Sequence, residues 1–165
     1  MMKKSILVAD IIDNIRRVFQ VVNEHSKRAK RETGITGPQL WAIKVIAEAS
    51  PLRVSDLARR MYLHPATVVG ILNRLELQGL VKRVRNNSDR RIVMVELTEM
   101  GKELVVKAPQ VAQGLLVAGL EVLPFKQLEE IDAGLETLVE ILGAQKLPPQ
   151  MMLSSEYNLP GKGKQ

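Results

Sequence analysis

"SDLARRMYLHPATVVGILNRLELQGLVKRVRNNSDRRIVMVELT", residues 55–98, is the stretch on which the reading of the chain turns. It opens with a short helical run, 55–61, for which Ser55 is the expected N-cap. "YLH" (62–64) is a turn. A second helix is predicted over 65–79, with Pro65 at its first position and Gly79 as its C-cap. Val68, Leu72 and Leu75 recur at helical spacing, with Ile71 alongside, so one face is apolar. The opposite face is left with Ala66, Thr67, Gly70, Asn73 and Arg74. "LVKRVR" and "IVMVELT" then read as two strands around the turn "NNSD". Val93, Val95 and Leu97 alternate, so one face of this hairpin is expected to be buried.

Working outward, "TGPQLWAIKVIAEAS" (36–50) is a helix with Pro38 in its first turn, and "LRV" (52–54) can pair as a small strand. Residues 5–31 read as a long helix. Leu7, Ile11, Ile15, Val18 and Val22 form one apolar stripe, which Val8, Ile12 and Phe19 widen. Downstream, Thr98 is the expected cap of a helix over 99–121, in which Pro109 predicts a kink or a break. A last helix spans 124–142. In it Leu128, Ile131, Leu135, Leu138 and Leu142 form a short heptad seam, expected to pack with the first helix. The expected organisation is an N-terminal helix (5–32), a central lobe (36–97), C-terminal helices (98–143) and a polar tail with Pro and Gly (144–165). The fold class is mostly α, an α+β arrangement with one small hairpin.

The chain has 165 residues, 45% of them hydrophobic, which is enough to bury a core without staples. It has no cysteine, which excludes disulfides, thiolate zinc sites and thiol redox sensing and fits a cytoplasmic location. No apolar run is long enough for a membrane helix, and Asp10 and Asp13 interrupt the only candidate for a signal peptide. Net charge is +6, and residues 53–91 carry all of the excess, with nine bases against three acids. A basic centre between neutral flanks is the footprint of a polyanion binder. A solvated basic surface is the plainer alternative on charge alone. Only two histidines, His25 and His64, are present, and no glycine-rich phosphate loop or metal-binding motif occurs. No enzyme, cofactor or metal site is expected.

A short helix, a turn, a second helix and a two-stranded hairpin make a winged helix-turn-helix, whose second helix enters the DNA major groove. On that reading Pro65, Ala66, Thr67, Gly70 and Asn73 face the bases. The small ones permit close approach, Thr67 and Asn73 can hydrogen-bond, and Ala66 and the Thr67 methyl can touch thymine methyls. Arg59, Arg60, Arg74, Arg83 and Arg85 are placed for phosphates, which give affinity and register but carry no sequence information. His64 either caps the recognition helix or donates to a phosphate. The wing tip comprises Asn87, Ser88, Asp89, Arg90 and Arg91. A face so poor in polar groups implies that part of the specificity comes from DNA shape and the wing.

Residues 57–104, "LARRMYLHPATVVGILNRLELQGLVKRVRNNSDRRIVMVELTEMGKEL", resemble the core of the MarR family of bacterial transcriptional regulators. The resemblance lies in Arg74-Leu75-Glu76 with Gly79 and Leu80, in Asp89 and Arg91 of the wing, and in Leu97-Thr98 with Gly101. It implies a homodimer, built from the terminal helices, that binds a pseudo-palindromic operator. The dimerisation residues would then be Leu7, Ile11, Ile15, Val18, Leu128, Ile131, Leu135, Leu138 and Leu142. It also implies release of DNA by a small, often phenolic, ligand in a crevice that Phe19 and Trp41 would line, although both suit plain packing. Asp89 is expected either to pair with Arg91 or to accept backbone N–H bonds in the turn. The expected partners are duplex DNA, a second copy of the chain and a small effector. The competing reading is a winged helix that binds protein or RNA.

Overall fold

In a computed structural model of the chain, residues 2–85, 89, 91–149 and 151 are described. Seven helices and three strands follow in the order α1 (Met2–Thr33), α2 (Gly37–Ala49), β1 (Leu52–Arg53), α3 (Val54–Arg60), α4 (Pro65–Leu77), β2 (Val81–Arg85), β3 (Val93–Leu97), α5 (Glu99–Lys107), α6 (Ala112–Glu121) and α7 (Phe125–Ile141). The mostly helical expectation holds, with one small antiparallel sheet ordered β1-β3-β2.

The hub is α2, which packs against α1, α3, α4, α5, α6 and β3. Its start is set by a capping box. Thr36 Oγ1 accepts from Gln39 N, and Gln39 Oε1 accepts from Thr36 N at 2.9 Å, which gives a partner to the one buried polar residue of the core among the described residues. Leu40, Ile43 and Ile46 are fully buried, together with Leu57, Met61 and the inward face of α4, namely Val68, Ile71, Leu72 and Leu75. Trp41 is buried as well, with its ring against Gly114 of α6.

The helix boundaries follow local chemistry, with one correction. α3 begins one residue early, at Val54, and Ser55 does not cap it. The N-cap position is Arg53, with no side-chain cap bond, because Arg53 is still paired in the sheet with Met94. The chain therefore passes from strand to helix with no residue between them. α4 starts on Pro65 as expected, and its C-cap is Gln78, with Gly79 following at φ +71°. Leu80 N–H donates to Leu75 O and Gly79 N–H to Glu76 O, the paired bonds of a Schellman close. Around Pro109 the predicted long helix breaks. α5 ends at Lys107 and α6 begins at Ala112, and side chains tie the break down: Lys44 Nζ donates to Ala108 O, and His25 Nδ1 bonds Gln110 O.

One packing expectation fails. Among the described residues α7 makes no substantial contact with α1, and none of its residues is buried. The contacts of α1 inside the chain go to α2 and α6 instead. The seam residues Ile131, Leu135 and Leu142 are consequently exposed, as are Leu7, Ile11 and Val18 of α1, and Ile15, Leu128 and Leu138 are half-buried. Of the 144–165 tail, 144–149 and Met151 are described, and Met151 is half-buried against the core.

A small junction closes the base of the β2–β3 hairpin. Thr98 N–H donates to Leu80 O at 3.1 Å, and the Thr98 hydroxyl donates to Gly79 O at 2.6 Å while accepting from Gly101 N. A Cβ at position 101 would overlap the Leu80 carbonyl oxygen, so only glycine admits the approach. We expect Gly101→Ala to destabilise by about 1–3 kcal/mol through overpacking. Thr98→Val, which keeps shape but loses the cap, should cost about 1 kcal/mol. Each kcal/mol lowers Tm by about 2–4 °C in a chain of this size. Thermal unfolding that leaves both Tm values at the wild-type level contradicts this account of the junction.

Candidate nucleic-acid interface

The sheet register explains how the wing meets α4. Cross-strand partners share a face, and Val81, Arg83 and Arg85 lie opposite Leu97, Val95 and Val93. That face is apolar and buried at the hairpin base, at Val81, Val95 and Leu97, and becomes cationic two residues further on. Lys82 and Val84 take the other face, where Lys82 pairs with Glu96 at 3.4 Å. Arg83 is therefore carried over α4 by the face that buries its neighbours. Its Nη2 donates to Asn73 Oδ1 at 2.7 Å, and its Nη1 pairs with Glu76 Oε2.

Between α4, the β1–α3 corner and the wing lies an open groove of about 640 Å³. Arg53, Ser55, Val69, Asn73, Arg83 and Arg91 contribute to its lining, which among the described residues includes no carboxylate. Three guanidinium groups converge on the trough, one of them, Arg83, paired with Glu76 at its edge, and such a cluster of cations suits an anionic partner. From the sequence, Arg53 enters only the charge balance, Ser55 is a cap, and Val69 has no role. The signal for Val69 was present in the helix period, since it lies three residues from Ala66 and four from Asn73 on the same outer face.

The recognition-helix residues fall on the open side. Pro65, Ala66 and Asn73 are exposed, and Thr67 and Gly70 are half-buried. A Cβ on Gly70 would meet nothing within 4 Å, so no packing inside the chain requires glycine there. His64 is the N-cap, its Nδ1 accepting from Ala66 N at 3.2 Å. Arg59, Arg60 and Arg85 are exposed, Arg59 being paired with Asp56 at 3.1 Å, and Arg74 is half-buried. In the wing, Asp89 Oδ1 accepts from Arg91 N at 2.9 Å and Asp89 O accepts from Ile92 N, which is the turn-making role rather than a side-chain pair. Asn87, Ser88 and Arg90 lie outside the described residues. Phe19 and Trp41 are not brought together at this groove: Phe19 is exposed on α1, and Trp41 is in the core.

A further link joins the helix-turn-helix to the rest of the chain. Tyr62, in the α3–α4 turn, holds φ at +52°, and its hydroxyl donates to Glu121 Oε1 at the end of α6, at 2.9 Å. The hydrogen bond to Glu121 and the negative charge of that carboxylate raise the Tyr62 phenol above the ordinary tyrosine range.

A family model described as the MarR family matches residues 35–93. The organic hydroperoxide resistance transcriptional regulator of Bacillus subtilis is 35% identical over 108 residues, 66% of this chain and 72% of that protein. The HTH-type transcriptional repressor MdtR of Bacillus subtilis is 29% identical over 125 residues, 76% of this chain and 79% of that protein. The solved structure of reduced AbfR bound to DNA matches with a TM-score of 0.50 at 25% identity, covering 86% of this chain and 99% of that one.

The raised phenol has a sign that can be checked. Protonated Tyr62 is favoured in the folded chain, so its contribution to stability is complete below the ordinary tyrosine pKa and is lost as pH climbs through the folded value. In a Tyr157→Phe background, which leaves Tyr62 as the only tyrosine, ultraviolet titration should place the phenol above the ordinary range. Glu121→Gln should bring it back down. An unchanged titration in Glu121→Gln means that the bond does not form in solution.

Proposed function

The chain belongs to the MarR family of transcriptional regulators, and from that membership and the geometry of the groove we propose that it acts as a homodimeric repressor of a pseudo-palindromic operator. The observation that carries the DNA reading is the arginine-lined groove between α4 and the wing. α4 enters the major groove with Pro65, Ala66, Thr67, Gly70 and Asn73 toward the bases, where the small side chains allow a close approach. Arg59, Arg60, Arg74 and Arg85 meet phosphates along the flanks, with His64 beside the helix start. The wing, including Asn87, Ser88 and Arg90, approaches the neighbouring minor groove, with Arg91 presented by the Asp89 turn.

The dimer is supported by what the single chain leaves open. A 17-residue helix with no buried residue gains little packing from its own chain to offset its ordering, and its apolar seam asks for a partner. The α1 stripe (Leu7, Ile11, Ile15, Val18) and the α7 seam (Leu128, Ile131, Leu135, Leu138, Leu142) are the surfaces we assign to it. Two-fold pairing then sets the recognition helices about one helical turn of DNA apart, ~34–36 Å. Release by a small aromatic effector, with Phe19 and Trp41 near its crevice, belongs to the same proposal and rests on relatedness alone. Repression takes its support from the related protein named as a repressor.

Selection from randomised duplexes, followed by fluorescence anisotropy, tests this. We expect two related half-sites. Between 50 and 200 mM salt the affinity should fall by about 10³-fold or more if six or more phosphates are met. Asp89→Ala should weaken operator binding several-fold by loosening the turn. Sedimentation equilibrium should return twice the 18.4 kDa chain mass, and Ile131→Glu with Leu135→Glu should return it to 18.4 kDa. A stable monomer, or binding indifferent to salt, counts against the proposal, and the latter favours a protein-interaction module.

A further inference from the structure

We propose that Arg83 is a positioning residue that sets the polarity of Asn73, so that Asn73 meets DNA chiefly as a hydrogen-bond donor and selects guanine or thymine over adenine. The inference rests on the DNA-binding reading above. A guanidinium carries donors and no acceptor, so the Asn73 atom that Arg83 touches at 2.7 Å is necessarily the amide oxygen. Turning the amide over would set donor against donor and forfeit a charge-assisted bond. The second arm of Arg83 on Glu76 Oε2 holds the guanidinium in place from the same helix, one turn further on. Asn73 is exposed in the groove, and its Nδ2 protons have no partner among the described residues.

Asparagine reads adenine by using both ends of its amide, donating to N7 and accepting from the N6 amino group. With one of the two lone pairs on its oxygen held by Arg83 and the amide orientation thereby fixed, Asn73 offers adenine only the remaining lone pair, beside guanidinium N–H groups that crowd an N6 amino donor. Guanine N7 and O6, and thymine O4, are acceptors and suit the two free protons. The same geometry revises the expectation for Arg83 itself. Its guanidinium is partly covered and held on both Asn73 and Glu76, so it does not serve as a phosphate contact in the way that the exposed Arg60 and Arg85 are placed to do.

The test compares wild type, Asn73→Ala and Arg83→Ala by selection from randomised duplexes and by anisotropy on single-base operator variants. Wild type should disfavour adenine at one position per half-site by roughly 5–150-fold, the range of one good base contact. Asn73→Ala, which leaves the Arg83–Glu76 pair intact, should lose that preference. Arg83→Ala should admit adenine at the same position with an unchanged salt slope, whereas Arg85→Ala should reduce the slope by about 1. Adenine selected by wild type at the Asn73-dependent position overturns the assignment. So does an Asn73→Ala variant that weakens all sequences equally, or a salt slope that drops in Arg83→Ala. Wild type that binds no duplex at all overturns the DNA-binding reading and this inference with it.

Discussion

The Thr98 junction is the contact on which the geometry of the basic surface depends. At one point the chain leaves α4, enters β2, returns along β3 and starts α5. Thr98 bonds both Gly79 and Leu80 there, and Gly101 lets α5 lie directly on the Leu80 carbonyl. With the hairpin root held this way, the inward face of the sheet is committed to α4. Every side chain further along the wing inherits its direction from that commitment, two residues at a time.

The charge of the region is less uniform than its composition implies. Nine bases in 53–91 suggest a surface in which each cation is free for an anion. Several are instead engaged within the chain: Arg83 with Asn73 and Glu76, Arg59 with Asp56, and Lys82 with Glu96. The exposed pairs are weak and yield readily to a phosphate. Arg83 differs, because it is partly covered and held on two acceptors, and so it acts on the recognition helix instead of extending the cationic rim. The three acids of the segment have distinct places: Glu76 anchors an arginine, Asp89 shapes a turn, and Asp56 pairs on the flank.

Apolar stripes on α1 and α7 stay exposed among the described residues. The helix-turn-helix connects to α6 through α2 and, by a hydrogen bond between side chains, through Tyr62 and Glu121.

Much of the fold and the outer face of α4 could be read from the residues alone. The inward set Val68, Ile71, Leu72 and Leu75, the alternation of Val93, Val95 and Leu97, the break at Pro109 and the cap at Thr98 all depend on residues within a few positions of each other. Helical and strand periods act over that range, and the sequence by itself determined them. What only the tertiary structure decided involves separations that no local period spans. The partners of Arg83 are seven and ten residues away and turn on the sheet register. Tyr62 meets Glu121 across 59 residues. Ser55 lost its capping role because Arg53 was already held by β3, and among the described residues α1 packs on α2 and α6 and not on the α7 seam. In each case a local preference was satisfied or displaced by a neighbour that folding, and not chain order, brought into place.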